Sequence, residues 1–221
     1  HRDPFQSRSL SEENPDFQVF MKLCDDVRKL KVRTNADTPE DAARARAFGA
    51  EGIGLFRTEH MFYGKNSEEP LFKLRKMIHS KTLAERKSAL DELFPHVKHD
   101  VKGTMAAMDG YPVTFRTLDP PLHEFVPTRV DEREKLASSL GISLDELNKR
   151  ADSLHENNPM MGHRGVRLGI TYPEISEMQI RAIFEATAEL LQEGKKPFPE
   201  IMIPVTCHVN EINHQYEIVT R

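Results

Sequence analysis

Gly52-Ile53-Gly54-Leu55-Phe56-Arg57 is a short apolar run that ends in a cation, and Pro112-Val113-Thr114-Phe115-Arg116 repeats the pattern further along the chain. Short apolar runs bounded by turn formers read as buried strands. Ahead of the first, Thr38-Pro39-Glu40-Asp41 offers an N-cap threonine, a first-turn proline and carboxylates at the positive helix end. Ala42 to Phe48 continues that helix, Gly49 ends it, and Leu30 to Ala36 reads as the strand before it. The resulting strand–helix–strand unit of about 25 residues has the length of a parallel, right-handed crossover. Glu200-Ile201-Met202-Ile203-Pro204-Val205 reads as a fourth buried strand, and Val209 to Val219 as the start of its helix. The fold class is α/β.

Outside these units the pattern is helical. Phe17, Phe20, Met21, Cys24, Val27 and Leu30 recur at amphipathic spacing after a polar lead-in over residues 1–15, which places Cys24 on an apolar side and in the core. The span 66–109 is too long for a simple crossover and reads as a helical excursion. Further helical pieces lie near 131–137 and 143–155, where Ser143 and Glu146 have capping-box spacing. Pro173-Glu174 opens a strong helix that Glu193-Gly194 ends. Gly52 and Gly54 weaken a strand, so they predict a close approach by backbone or ligand.

Charge is nearly balanced, with 31 basic and 35 acidic residues, which argues against a general nucleic-acid surface. Cys24 and Cys207 form no disulfide framework, and the ten histidines show no zinc spacing. Cys207-His208 makes no ligand set by itself. No apolar run approaches the roughly 20 residues that span a bilayer.

In parallel α/β sheets, side chains at the carboxyl ends of strands project into the pocket made by the following loops. Arg57 and Arg116 both occupy that position. Met161-Gly162-His163-Arg164-Gly165-Val166-Arg167 adds a third basic segment. Arginine stays charged and presents a planar fork that pairs with carboxylate or phosphate through two hydrogen bonds, so this pattern points to a small polyanion. The bland reading is a set of structural salt bridges with Glu59, Asp119 or Glu124.

Lys31-Val32-Arg33-Thr34-Asn35-Ala36-Asp37-Thr38-Pro39, followed by Gly52 through Phe62, closely resembles the start of the C-terminal barrel of the pyruvate, phosphate dikinase family. Phe115-Arg116-Thr117-Leu118-Asp119-Pro120-Pro121-Leu122-His123-Glu124-Phe125 matches at a second place, and Asn158-Pro159-Met160-Met161-Gly162-His163-Arg164-Gly165 at a third. The resemblance implies a partial (β/α)8 TIM barrel, about the first four β/α units with helical insertions. Residues 1–29 would be a lead-in and N-terminal helix, and 30–221 the first half of a phosphoenolpyruvate/pyruvate-binding barrel, with excursions at about 66–109 and 131–157.

The function implied is that of a phosphotransferase part. The whole enzyme interconverts pyruvate, ATP and phosphate with phosphoenolpyruvate, AMP and diphosphate through a phosphohistidine on another domain. Arg57, Arg116 and Arg164 match the family's substrate- and phosphoryl-binding arginines and take the catalytic role. Asn35, His163 and Arg167 are second-rank substrate-binding candidates. Mg²⁺ is the implied cofactor, with its ligands expected beyond residue 221, so no metal ligand is assigned. The implied partners are phosphoenolpyruvate or pyruvate, the phosphohistidine domain of the same full-length chain and the remaining half of the barrel. A cytoplasmic homodimer is expected at full length, with no nucleic-acid or membrane partner. The segment alone is expected to be inactive and to self-associate, because a half-barrel exposes strand edges and apolar interior. Phosphoenolpyruvate synthase and the first enzyme of the sugar phosphotransferase system are relatives; the Asp119-to-Phe125 stretch favours the dikinase. A reading from another class keeps the anion pocket in an inactive binding or interaction module.

Overall fold

The computed structural model describes residues 15–64 and 67–221. The expected lead-in over residues 1–15 falls, except for Pro15, outside that set. Four strands form one parallel sheet in chain order: β1 (Thr34–Asn35), β2 (Ile53–Arg57), β3 (Pro112–Arg116) and β4 (Phe198–Met202). Helix α1 (Pro15–Val27) precedes β1, and α2 (Pro39–Ala47) crosses from β1 to β2. Helices α3 (Glu68–Ile78) and α4 (Leu83–Ala107) separate β2 from β3. Helices α5 (Val130–Leu140), α6 (Leu144–Ser153), α7 (Val166–Thr171) and α8 (Pro173–Gln192) separate β3 from β4, and α9 (Val209–Thr220) follows. Alternating parallel strands and helices make this a four-unit portion of a (β/α)8 barrel with helical insertions.

The elements form for local reasons. Thr38 Oγ1 accepts the Asp41 amide at 3.1 Å to start α2, and Thr82 with Glu85 closes a full capping box on α4. At α6 only half of the expected box forms. Ser143 Oγ accepts the Glu146 amide, while the Glu146 side chain turns to Lys81 and Arg150. The main core lies between the sheet and α4 and α8, where Phe56 and Phe115 pack edge to face with ring centroids 5.2 Å apart. Such a pair adds about 0.5–1.5 kcal/mol beyond its buried area. A smaller cluster of Leu136, Ala137 and Leu147 joins α5 to α6.

β2 departs from simple alternation. Ile53 pairs with Val113, yet Phe56 pairs with Phe115, so β2 spends one more residue than β3 over the same span. This bulge lets Ile53 and Phe56 both face the helices although their numbers differ by an odd step. It also brings Arg57 into register with Arg116, both on the opposite face.

Three expectations are corrected. The first strand shrinks from Leu30–Ala36 to Thr34–Asn35. Its flanks still bond to the next segment, Glu51 N to Val32 O at 2.8 Å and Ala36 N to Leu55 O at 3.2 Å, but the bulge breaks the regular ladder. The fourth strand is not buried: it is a half-exposed strand bonded to β3 alone, with Phe198, Glu200 and Met202 exposed. It ends at Met202 because Pro204 has no N–H to donate and Val205 takes φ 61°. Helix α1 forms where its periodicity predicts, but none of its residues is buried, so Cys24 is only half-buried. Helix spacing gives an apolar stripe, and only tertiary contact decides whether anything covers it. The short α7, which begins inside the basic segment 161–167, is an additional element.

Candidate anion-binding site

Arg57 and Arg116 end neighbouring strands as register partners, and each is met by carboxylates. Arg57 donates from Nε to Asp37 Oδ1 at 3.1 Å and from Nη2 to Asp37 Oδ2 at 2.5 Å, and its backbone N–H donates to the same Oδ1 at 3.0 Å. His60 places Nδ1 3.2 Å from Asp37 Oδ2. Burial would push the Asp37 carboxyl up, but the Arg57 side-chain and backbone donors, with His60 nearby, hold it below the usual carboxylate range.

Arg116 donates from Nη2 to Glu59 Oε1 and lies with Nη1 3.0 Å from Asp119 Oδ2. Arg164 reaches the same carboxylate, from Nε to Oδ1 at 3.2 Å and from Nη2 to Oδ2 at 2.6 Å. Asp119 therefore joins two arginines, one at the end of β3 and one on the loop before α7. Around it, Thr58 Oγ1 donates to Arg116 O, Gln179 Nε2 donates to Thr58 Oγ1, and the Leu118 amide donates to Gln179 Oε1, all between 2.9 and 3.0 Å. These bonds tie the mouth loops to α8.

Arg164 owes its position to Gly165. That residue has φ 57° and ψ −131°, a conformation open essentially to glycine, and an added Cβ would stand 2.9 Å from Pro204 O. The Gly165 amide bonds to Asp119 O and the Val166 amide to Pro204 O, both at 3.0 Å. The loop bearing Arg164 is thus clamped between the segments that follow β3 and β4.

Three arginines face three carboxylates, Asp37, Glu59 and Asp119, so the set is close to neutral. Arg57 and Arg164 each spend Nε and Nη2 on their carboxylate, which leaves the Nη1 corner without a partner among the described residues. Glu59 Oε2 and Arg116 Nε are buried without a hydrogen-bond partner among the described residues.

The second-rank candidates separate from this set. Asn35 is exposed at the end of β1, opposite Leu55. His163 bonds through Nε2 to Thr171 Oγ1 at 3.0 Å, and Arg167 donates from Nη1 to Gly162 O at 2.7 Å, so both brace the loop that carries Arg164. Cys207 is exposed; its amide and that of His208 donate to Glu211 Oε2, which caps α9. Among the described residues no three His, Cys, Asp or Glu side chains gather to hold a metal ion. No helix among them is long and apolar enough to cross a membrane.

Sequence reading flagged Glu59 and Asp119 as salt-bridge candidates but missed Asp37 and Gln179. Two signals were present. Asp37 lies two residues past the carboxyl end of β1, on the edge of the sheet where Arg57 and Arg116 end β2 and β3. Gln179 lies between Ile175 and Ile183 on the buried stripe of α8, a polar residue where the period demands an apolar one.

Residues 11–221 match the family model described as the PEP-binding domain of PEP-utilising enzymes. The chain is 50% identical over 206 residues to a chloroplastic pyruvate, phosphate dikinase of Mesembryanthemum crystallinum, covering 92% of this chain and 22% of that one. It is 49% identical over 210 residues to a chloroplastic pyruvate, phosphate dikinase 1 of Arabidopsis thaliana, covering 94% and 22%. It is 50% identical over 204 residues to pyruvate, phosphate dikinase of Clostridium symbiosum, covering 92% and 23%. The chain spans less than a quarter of the length of these curated relatives.

Proposed function

This chain belongs to the PEP-utilising enzymes, as their PEP-binding domain, and from that membership we propose that it serves a pyruvate, phosphate dikinase. In the reaction a phosphoryl group moves between the enol oxygen of phosphoenolpyruvate and a histidine nitrogen on another domain of a longer chain. ATP and phosphate are converted to AMP and diphosphate elsewhere in that chain. The observation that carries the reading is the convergence of Arg116 and Arg164 on Asp119, beside an Arg57 in register with Arg116.

The carboxylates hold the guanidinium planes in place before substrate arrives, so little side-chain entropy is lost on binding. The Nη1 corners of Arg57 and Arg164 then donate to the carboxylate or phosphate of phosphoenolpyruvate. In the transition state they stabilise charge spread over the phosphoryl oxygens. Asn35 adds a polar contact at the mouth, and His163 and Arg167 support the loop that presents Arg164. No described residues gather to hold Mg²⁺; bound by ligands expected beyond residue 221, it would supply further positive charge for the substrate's anionic groups.

The test is Arg57→Lys and Arg164→Lys in the longer protein, assayed for pyruvate formation from phosphoenolpyruvate, AMP and diphosphate. Lysine keeps the charge but lacks the fork, and turnover should fall about 10²-fold for each, the scale of one lost oxyanion donor. Wild-type turnover in both variants would refute the assignment.

A further inference from the structure

The opposite face of the sheet from the helices carries its own polar assembly. Arg33, just before β1, reaches across it to β4, donating from Nη1 to Glu200 Oε2 at 2.6 Å and from Nη2 to Oε1 at 3.1 Å. Thr114 on β3 donates to the same Oε2 at 2.7 Å. Room for the crossing comes from β2. A Cβ on Gly52 would lie 3.2 Å from Arg33 Cγ, and one on Gly54 3.3 Å from Arg33 Cβ. The close approach that those glycines predict is made by this side chain, together with Pro112. The assembly therefore joins the first strand to the fourth across the two between them, which requires the sheet to be curled.

Each end of this link leads to one end of the arginine set. Four residues beyond Arg33, Asp37 holds the fork and the amide of Arg57. Four residues beyond Glu200, Pro204 O receives the Val166 amide and presses on Gly165, which fixes Arg164. We infer that Arg33, Thr114 and Glu200 are positioning residues that fix the curl of the sheet and, through Asp37 and Pro204, the separation of Arg57 from Arg164. A bidentate guanidinium–carboxylate pair suits this task because it sets direction as well as distance. With 38% and 45% of the two side chains exposed, the pair adds little to stability, so its loss moves geometry more than folding.

The functional part of this inference rests on the mouth being the phosphoenolpyruvate site, and the test separates the two. In the longer protein, Glu200→Gln and Arg33→Lys are compared with Leu147→Ala, a truncation in the small core far from the sheet. Phosphoenolpyruvate affinity should fall about tenfold in the first two and stay at the wild-type value in the third, because small misplacement of binding groups is costly. Combining Glu200→Gln with Arg57→Lys should give less than the product of the single effects. Backbone amide exchange at Arg57 and Val166 should quicken about tenfold in Glu200→Gln, with the Leu147 amide unchanged. Unchanged exchange at both amides overturns the inference whatever the affinity does. If Arg57→Lys alone leaves phosphoenolpyruvate affinity intact, the reading of the mouth fails, and the exchange rates alone decide whether the link positions the strands.

Discussion

Between α4 and α8, Lys98 and Lys102 meet Glu185, Glu189 and Glu193 in a ladder whose side chains stay 27–47% exposed. At the carboxyl edge of the sheet, Arg116 and Arg164 meet Glu59 and Asp119, whose side chains are only 5–6% exposed. The ladder is built from flexible ammonium groups in high dielectric and contributes little to folding. The mouth is the costly arrangement. Taking charges out of water costs several kcal/mol per ion, and well-packed apolar residues would serve stability at least as well. Leaving Arg116 Nε and Glu59 Oε2 without partners adds to that cost.

The sharpest way to break that contrast is Arg116→Ala in the longer protein. It strands Glu59 and leaves Asp119 to Arg164 alone, so stability should fall by about 3–5 kcal/mol in denaturant titration, while pyruvate formation falls about 10²–10³-fold. Lost stability with turnover intact would make the mouth a structural cluster like the ladder. Gly165→Ala comes next. It forces a Cβ against Pro204 O in a backbone region closed to alanine, at about 1–3 kcal/mol, and the displaced Arg164 should raise the KM for phosphoenolpyruvate.

Asp37→Asn sharpens the contrast through pH. The folded-state pKa of Asp37 is depressed, so its stabilisation is present above about pH 4, the unfolded carboxylate value, and disappears as pH falls through the lower folded value. The variant should melt below the wild type at pH 7, and the gap should close on acidification in thermal melts from pH 7 to pH 3. The smallest effect belongs to the ladder. Glu189 meets Lys98 and Lys102 in the open, where solvent screens the pairs, so Glu189→Gln should leave the melting temperature at neutral pH without measurable change. A clear drop there would mean that the exposed ladder carries more than its solvation suggests.

The helix α2 with its threonine cap, the α8 helix opened by Pro173 and the strands ending in Arg57 and Arg116 were legible in the sequence because each depends on near neighbours: a cap, a period, a breaker. The partners of the arginines were only partly legible. Glu59 and Asp119 stand close by in the chain, whereas Asp37 meets Arg57 and Gln179 meets Thr58 across long separations that no local pattern encodes. Coverage of α1 and β4 was not legible either, since periodicity tells which side of an element is apolar and not what lies against it.

By itself the sequence determined that this chain alternates strands and helices, that arginines close two of the strands, and that it resembles a phosphoenolpyruvate-binding barrel. The tertiary structure decided that those arginines stand side by side. A single extra residue in β2 shifts Arg57 into line with Arg116, and Arg33 crosses two glycines of that strand to bond Glu200 on β4. Both are effects of register and contact between strands, which arise only when separate stretches of chain are laid against one another.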